Sequence, residues 1–270
     1  MIKQPSRLTP TLHELGLDLL RISSFQRTAT LVTPFACFAF YLLFAHFRLW
    51  VPAVLTVMYL SFVTYGSISH DLVHRTLGLS HRSNDLFLVL IELLAFRSGH
   101  AYRLVHLHHH ARYPHNDDIE GAAAKMSLVR SVIEGVIFQP KITYWAIARR
   151  PRTRPFIVLE TALALLLFIG SFAMIPITPI FAVYAALMVM GAWIIPLVTS
   201  YVPHNPHGHT VLSQTKLFRG RVASMIAMEH LYHLEHHLYP RVPHHNWPKL
   251  ARRLDPYFKA AGIEPIVLWF

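Results

Sequence analysis

Four apolar stretches, residues 30–47, 51–69, 156–175 and 178–200, constrain this 270-residue chain more than any other feature. A bilayer core of about 30 Å takes roughly 20 residues of helix, and backbone inside it must satisfy its own hydrogen bonds. Helices are therefore expected in all four stretches. Arg48 lies at the short turn between the first two, which should form a tight hairpin, and the Pro176 and Pro179 turn joins the last two into a second; proline suits a helix boundary. Composition agrees: 53% of residues are hydrophobic, 14% are charged and the mean hydropathy is +0.37, which is too oily for an ordinary soluble domain.

The formal charge is +11, yet Lys and Arg flank apolar runs instead of forming one basic tract. That distribution points to an anionic membrane surface as partner and away from nucleic acid. The basic residues gather before the first span, in the loop 70–155 between hairpins, and in the tail 201–270. By the positive-inside rule these regions, and with them both termini, are expected to be cytoplasmic. Residues 1–27 mix Lys3, Arg7, Arg21 and Arg27 with Glu14 and Asp18. They lack the compact apolar core and cleavage site of a signal peptide, so they are expected to stay on the mature protein. Leucines at helical spacing within residues 12–20 suggest a surface helix. Residues 85–96 are apolar, interrupted by Glu92 and too short to span comfortably, which places them at or dipping into the interface. Cys37 is the single cysteine, so there is no disulfide framework and no thiolate cluster for iron and sulfur.

Metal chemistry must then be histidine chemistry, and three clusters offer it: His70-Asp-Leu-Val-His74, His106-Leu-His-His109-His110 and His233-Leu-Glu-His236-His237. Residues three and four apart share a helix face, so each cluster aims its imidazoles at a common point. The span assignment puts box one at the end of span two, box two in the internal loop and box three in the tail, all on one side. A single tetrahedral zinc takes about four ligands. Eight converging imidazoles, His70, His74, His106, His109, His110, His233, His236 and His237, call for two metals or a site of higher coordination, and two irons fit best.

Further residues fall near this rim. Tyr201-Val-Pro-His204 follows span four closely, which makes His204 an additional ligand. His108 lies off the pattern of box two and is expected to face away. His207 and His209 read as solvated loop residues; His100, His115, His244 and His245 are near the site, and His13, His46 and His81 have no supporting context. Metal-bound histidines usually donate their other ring nitrogen to a carboxylate or carbonyl. Asp71, Asp117, Asp118 and Glu235 suit that role, and His230, three residues before His233, suits a supporting one.

With these residues assembled, the chain resembles the membrane fatty acid desaturase superfamily over residues 69–248. The carriers are His70-Asp-Leu-Val-His74, Val105-His-Leu-His-His-His110 with Asn116-Asp117 downstream, Tyr201-Val-Pro-His204, and Tyr232-His-Leu-Glu-His-His-Leu-Tyr-Pro240 with Val242-Pro243. The resemblance implies an all-α, integral membrane four-helix bundle of two transmembrane hairpins, with a cytoplasmic helical cap carrying the boxes, as one domain over residues 1–270. It implies a non-haem centre of two Fe that uses O2 and electrons to attack an unactivated C–H bond of a membrane lipid, with His204 as the extra ligand. A fatty acyl desaturase of a bacterial inner membrane is the leading expectation. The sequence around Tyr201–His204 and Tyr232–Pro240 also looks like bacterial carotenoid hydroxylases and ketolases. His233 stands where many acyl desaturases have glutamine. No fused cytochrome or flavin motif is present, so a separate donor, a ferredoxin or a cytochrome or reductase, is implied.

Two rivals come from other classes. A histidine-rich metal transporter would carry ionisable residues along its spans, and here these are Glu160 and His46, near span ends. A membrane zinc hydrolase would need fewer ligands and a catalytic carboxylate such as that of HExxH, a motif this sequence does not contain.

Overall fold

The computed structural model describes residues 9–220 and 231–268. Four helical segments are long and apolar enough to cross a membrane: Leu17–His46, Trp50–His74, Arg154–Ala173 and Ile180–Tyr201. The first is chiefly helix α2 (Ser24–His46), started by a capping box between Ser23 and Gln26. A tight turn with Arg48 at φ 58° returns the chain into α3 (Trp50–Val63). The last two spans are α8 (Arg154–Ala173), with proline in its first turn, and α9 (Ile180–Trp193), entered at Pro179. Helix α3 packs against both α2 and α9. Small residues, Ala45, Ala53, Ala185 and Ala192, are buried in the spans, as expected where helices pack without a hydrophobic driving force.

Spans two and four share a further trait. Helix α3 passes through a π-helical segment, Thr64–Ile68, straight into α4 (Ser69–His74), which carries box one. Span four likewise ends in a π-helical segment, Leu197–Tyr201, just before His204.

The connection between hairpins is almost wholly helical: α5 (His81–Leu94), α6 (Gly99–Arg112) and α7 (Leu128–Arg149). Glu92, expected to interrupt an interfacial run, is instead fully buried in an ion pair with Arg97 at 2.7 Å. Glu160 of span three is also buried, accepting from Ser98 Oγ at 2.7 Å and pairing with His100.

The N-terminal leucines depart from expectation. They form a four-residue helix α1 (Leu12–Leu15) and a 3₁₀ turn, Leu17–Leu20, separated by Gly16. Leu15 and Leu19 are buried with Leu250 and Leu254 of the C-terminal helix, Trp247–Ala260. Their apolar face thus meets protein and not a membrane surface. Arg253 clamps Asp18 at 2.8 and 3.0 Å and Asn246 Nδ2 donates to the Leu19 carbonyl at 2.9 Å, so the two ends of the chain close on each other. A two-residue parallel pairing of Phe218–Arg219 with Ile266–Val267 and an isolated antiparallel bridge between His204 and Thr215 depart from all-α architecture.

Candidate metal centre

Box one ends span two: α4 stops at Arg75, which takes the left-handed conformation, leaving His70 and His74 one turn apart on the last turns. Box two ends α6, and box three forms its own six-residue helix, His233–Leu238. His204 is held after span four by a bridge to Thr215. The structure brings all nine of these histidines together, in two groups: His70, His74, His106, His110 and His236 form one, and His109, His204, His233 and His237 form the other. Within each group the ligand atoms lie within 4.8 Å of one another.

The division follows from helix geometry. At 3.6 residues per turn, i+4 lies about 40° to one side of i and i+3 about 60° to the other. In box two, His106 and His110 therefore face one centre and His109 the other. In box three, His233 and His237 face the second centre while His236 reaches the first. An HxxHH sequence on a helix is built to straddle two ions, which eight imidazoles counted together do not by themselves reveal.

The ring nitrogens meet at metal-like spacings. His204 Nε2 lies 3.1 Å from His109 Nε2, 3.2 Å from His237 Nε2 and 3.2 Å from His233 Nε2. His236 Nε2 lies 2.9 Å from His70 Nε2 and 2.7 Å from His110 Nε2. Donors held 2.0–2.1 Å from one ion at right angles would be about 3 Å apart. Hydrogen bonding accounts for at most one of the three contacts around His204 Nε2. Its Nδ1 faces the Ser200 carbonyl at 3.1 Å, an oxygen that only accepts, so Nδ1 carries the proton and Nε2 of the neutral ring is a bare lone pair. A cation satisfies several converging lone pairs at once. His74 Nε2 is buried without a hydrogen-bond partner, as an orphaned donor atom aimed at an ion would be. The donor set fits two metal ions.

The family model for fatty acid desaturase matches residues 45–269. The chain belongs to the fatty acid desaturase family. No curated protein sequence matches it. The matched stretch of this desaturase-family protein includes all nine clustered histidines and three of the four spans in full, so it is an integral membrane protein.

Around the histidines, two carboxylates fix ring orientation. Asp118 Oδ2 accepts from His109 Nδ1 at 2.7 Å, while its Oδ1 accepts from the backbone N–H of Glu120 and Gly121 at 3.1 and 3.0 Å. Gly121 leaves room for this carboxylate: a Cβ there would stand 2.2 Å from Asp118 Oδ2. Glu120, which sequence reading missed, spans His106 Nδ1 with both oxygens at 3.1 Å and accepts from Tyr65 Oη at 2.9 Å. The only hint in the sequence was a second acid two residues after Asp118.

The other expected supports go elsewhere. Asp71 binds the backbone N–H and Nδ1 of His244 at 3.1 and 2.7 Å, so it ties the tail to box one instead of orienting a clustered histidine. Asp117 is held by Arg112 at 3.1 Å and faces His108. Glu235 is fully buried against Arg219 at 2.6 Å. His230 lies outside the described residues. His108 does point away, its ring 4.7 Å from Trp145. The tail closes the site: Trp247 packs edge-on against His70 and obliquely on His236, at 5.4 and 5.1 Å, and His245 bonds Thr30 of span one at 2.8 Å.

Burial would push the Asp118 carboxyl up, but the attraction and hydrogen bond of His109, with the Gly121 amide, hold it down at about 2. Burial would lower His109, but the charge and hydrogen bond of Asp118, with the Glu120 charge, together outweigh it and raise the ring's pKa. Burial, reinforced by neighbouring imidazoles, holds His110, His204, His236 and His237 well below the usual histidine range. Neutral imidazole is the form a metal needs. Burial likewise raises Glu235 to about 7, with Arg219 opposing.

A pH dependence follows. These four rings have folded pKa values below the unfolded value of about 6.5, so acidification below that point protonates the unfolded chain first. The metal-stripped protein should lose thermal stability progressively as pH falls from 7 to 5, the two opposing groups, His109 and Glu235, being outnumbered. Melting curves in detergent that stay flat or rise over that range would contradict this.

Proposed function

We propose that this protein is an O2-dependent di-iron oxidoreductase that attacks an unactivated C–H bond of a membrane lipid, and that it desaturates a fatty acyl chain. The observation carrying the proposal is the division of nine histidines into groups of five and four in a member of the desaturase family. Imidazole suits iron, and two sites suit a pair of irons. When bound, such a pair supplies the oxidising power drawn from O2 and electrons, chemistry no side chain here can provide.

The protein's own residues do the rest. Asp118, Glu120 and the Ser200 carbonyl hold His109, His106 and His204 in the tautomer that presents Nε2. Tyr65, Tyr102, Thr199 and Trp247 wall a cavity of about 20 Å³ beside His70, His106, His109 and His233. That is room for about one water-sized molecule, which suits a diatomic co-substrate. Trp247 and the tail keep bulk water from the histidines, and the apolar spans hold the lipid chain. Electrons come from a separate donor, a ferredoxin or a cytochrome or reductase. The histidine side is the cytoplasmic side, with both termini there and the spans in a bacterial inner membrane.

Expression in a host that contains both fatty acids and β-carotene, followed by mass analysis of its lipids, tests the reading. Loss of two hydrogens from an acyl chain is the expected result. Gain of one oxygen on the carotenoid would replace the acyl substrate with the carotenoid that the motifs around His204 and box three also resemble.

A further inference from the structure

Helix α7 is apolar on two faces. Its inner face, Ser131, Gly135, Phe138, Ile142 and Ala146, is buried against α6, α8 and α9. Its outer face, Leu128, Val129, Val132, Ile133, Val136 and Ile137, is exposed, with Val129 at 68% and Ile133 at 62%. At about 100° per residue these six fill an arc of about 180° whose centre lies about 130° round the helix from that of the buried one. Arg130, Glu134 and Lys141 form a narrow polar stripe along one flank. A helix exposing such a face to water would be costly and unusual, and with those three charges it is not among the four spanning helices.

Its position names the occupant. Only four residues, 150–153, separate the end of α7 at Arg149 from the start of α8 and its span at Arg154, so this end of α7 sits at a membrane surface. The outer face is continuous with the lipid-facing spans: Trp193 and Ile194 of span four are exposed beside it, and at Gly135 a Cβ would stand 1.9 Å from the Trp193 carbonyl oxygen. The turn carries Arg149, Arg150, Arg152 and Arg154, all exposed. No acidic residue occurs between Glu134 and Glu160, and among the described residues none of the four arginines forms an ion pair with a carboxylate.

We infer that α7 is an in-plane membrane helix on the histidine side. Its outer face lies among acyl chains, and the four arginines of residues 149–154 bind the phosphates of anionic phospholipids. Apolar burial and arginine–phosphate attraction act together in such helices. The inference rests on the membrane-spanning assignment and is independent of the metal and the substrate. It also gives the helix a positional role. Through Gly135 it braces the end of span four that leads to His204, and so sets the depth of the site below the headgroups.

The test uses the full chain in nanodiscs, with Cys37→Ser removing the native thiol. Nitroxides are placed by Val129→Cys, Ile133→Cys and Ile137→Cys on the outer face, and by Arg130→Cys on the polar stripe. The three outer positions should be relaxed several-fold more by oxygen, which concentrates in lipid, than by a water-soluble nickel chelate, with Arg130→Cys reversed. Equal access of the chelate to all four overturns the inference in favour of water, and exclusion of both reagents from the outer face overturns it in favour of a protein contact. In native mass spectrometry the protein should retain phosphatidylglycerol several-fold over phosphatidylcholine. The combined R149Q, R150Q, R152Q and R154Q variant should lose that preference, and a preference left intact would overturn the headgroup assignment.

Discussion

Replacing His109 or His236 by alanine is expected to abolish lipid oxidation, by 100-fold or more, while the protein still inserts in the membrane. The two residues serve different groups. Without His109 the group of four keeps three imidazoles, and without His236 the group of five keeps four. His109→Ala also strands the buried Asp118 carboxylate without its 2.7 Å partner, and an unpaired buried charge is costly. Each variant should therefore bind less iron, with the greater shortfall in His109→Ala. Metal analysis and lipid turnover on the same preparations measure both effects. His108→Ala, one residue away but packed on Trp145, should keep activity within a few-fold. Full activity in both His109→Ala and His236→Ala would end the di-iron reading.

The second large effect concerns the carboxylates. Asp118→Asn keeps the size of the side chain but must present an amide N–H2 to one of the two sets of donors that Asp118 serves, His109 Nδ1 and the amides of Glu120 and Gly121. If the amide nitrogen faces His109, the ring must move its proton to Nε2, which then cannot ligate. Glu120→Gln removes the negative charge beside His106 and leaves one oxygen where two flank its Nδ1. Losing such a support lowers metal affinity or activity roughly 10–100-fold, and that is the expected range for both variants. Asp117→Asn, whose carboxylate meets Arg112 and His108 near the surface, should change either quantity little. Isothermal titration of the stripped proteins with ferrous iron distinguishes them, and wild-type affinity in Asp118→Asn would refute the argument.

These contrasts mark where sequence was informative. The spans were legible because uninterrupted apolar residues have one physical use at that length, the eight box histidines because their spacing matches a helix face, and His204 because it follows span four so closely. The supporting acids were chosen by closeness along the chain, and there the reasoning failed for three of the four described. Asp71 finds His244, far along the chain, and Glu235 finds Arg219. Glu120 reaches His106 because the chain doubles back after α6, a turn no periodicity announces. Helix α7 went unread for a related reason. Arg130, Glu134 and Lys141 break the apolar run in sequence, yet in space they line one flank and leave a continuous apolar face.

The π-helical segments at the ends of spans two and four bear on how such a protein can change. A π turn holds one residue more than an α turn, so it advances the phase of everything beyond it by about 100°. Upstream residues can then answer to lipid and neighbouring spans while the histidines downstream answer to the metals, each with its own register. Substitutions that refit a span to a thicker bilayer or a different chain length need not re-aim His70, His74 or His204. The two π turns uncouple adaptation of the membrane surface from upkeep of the reaction centre.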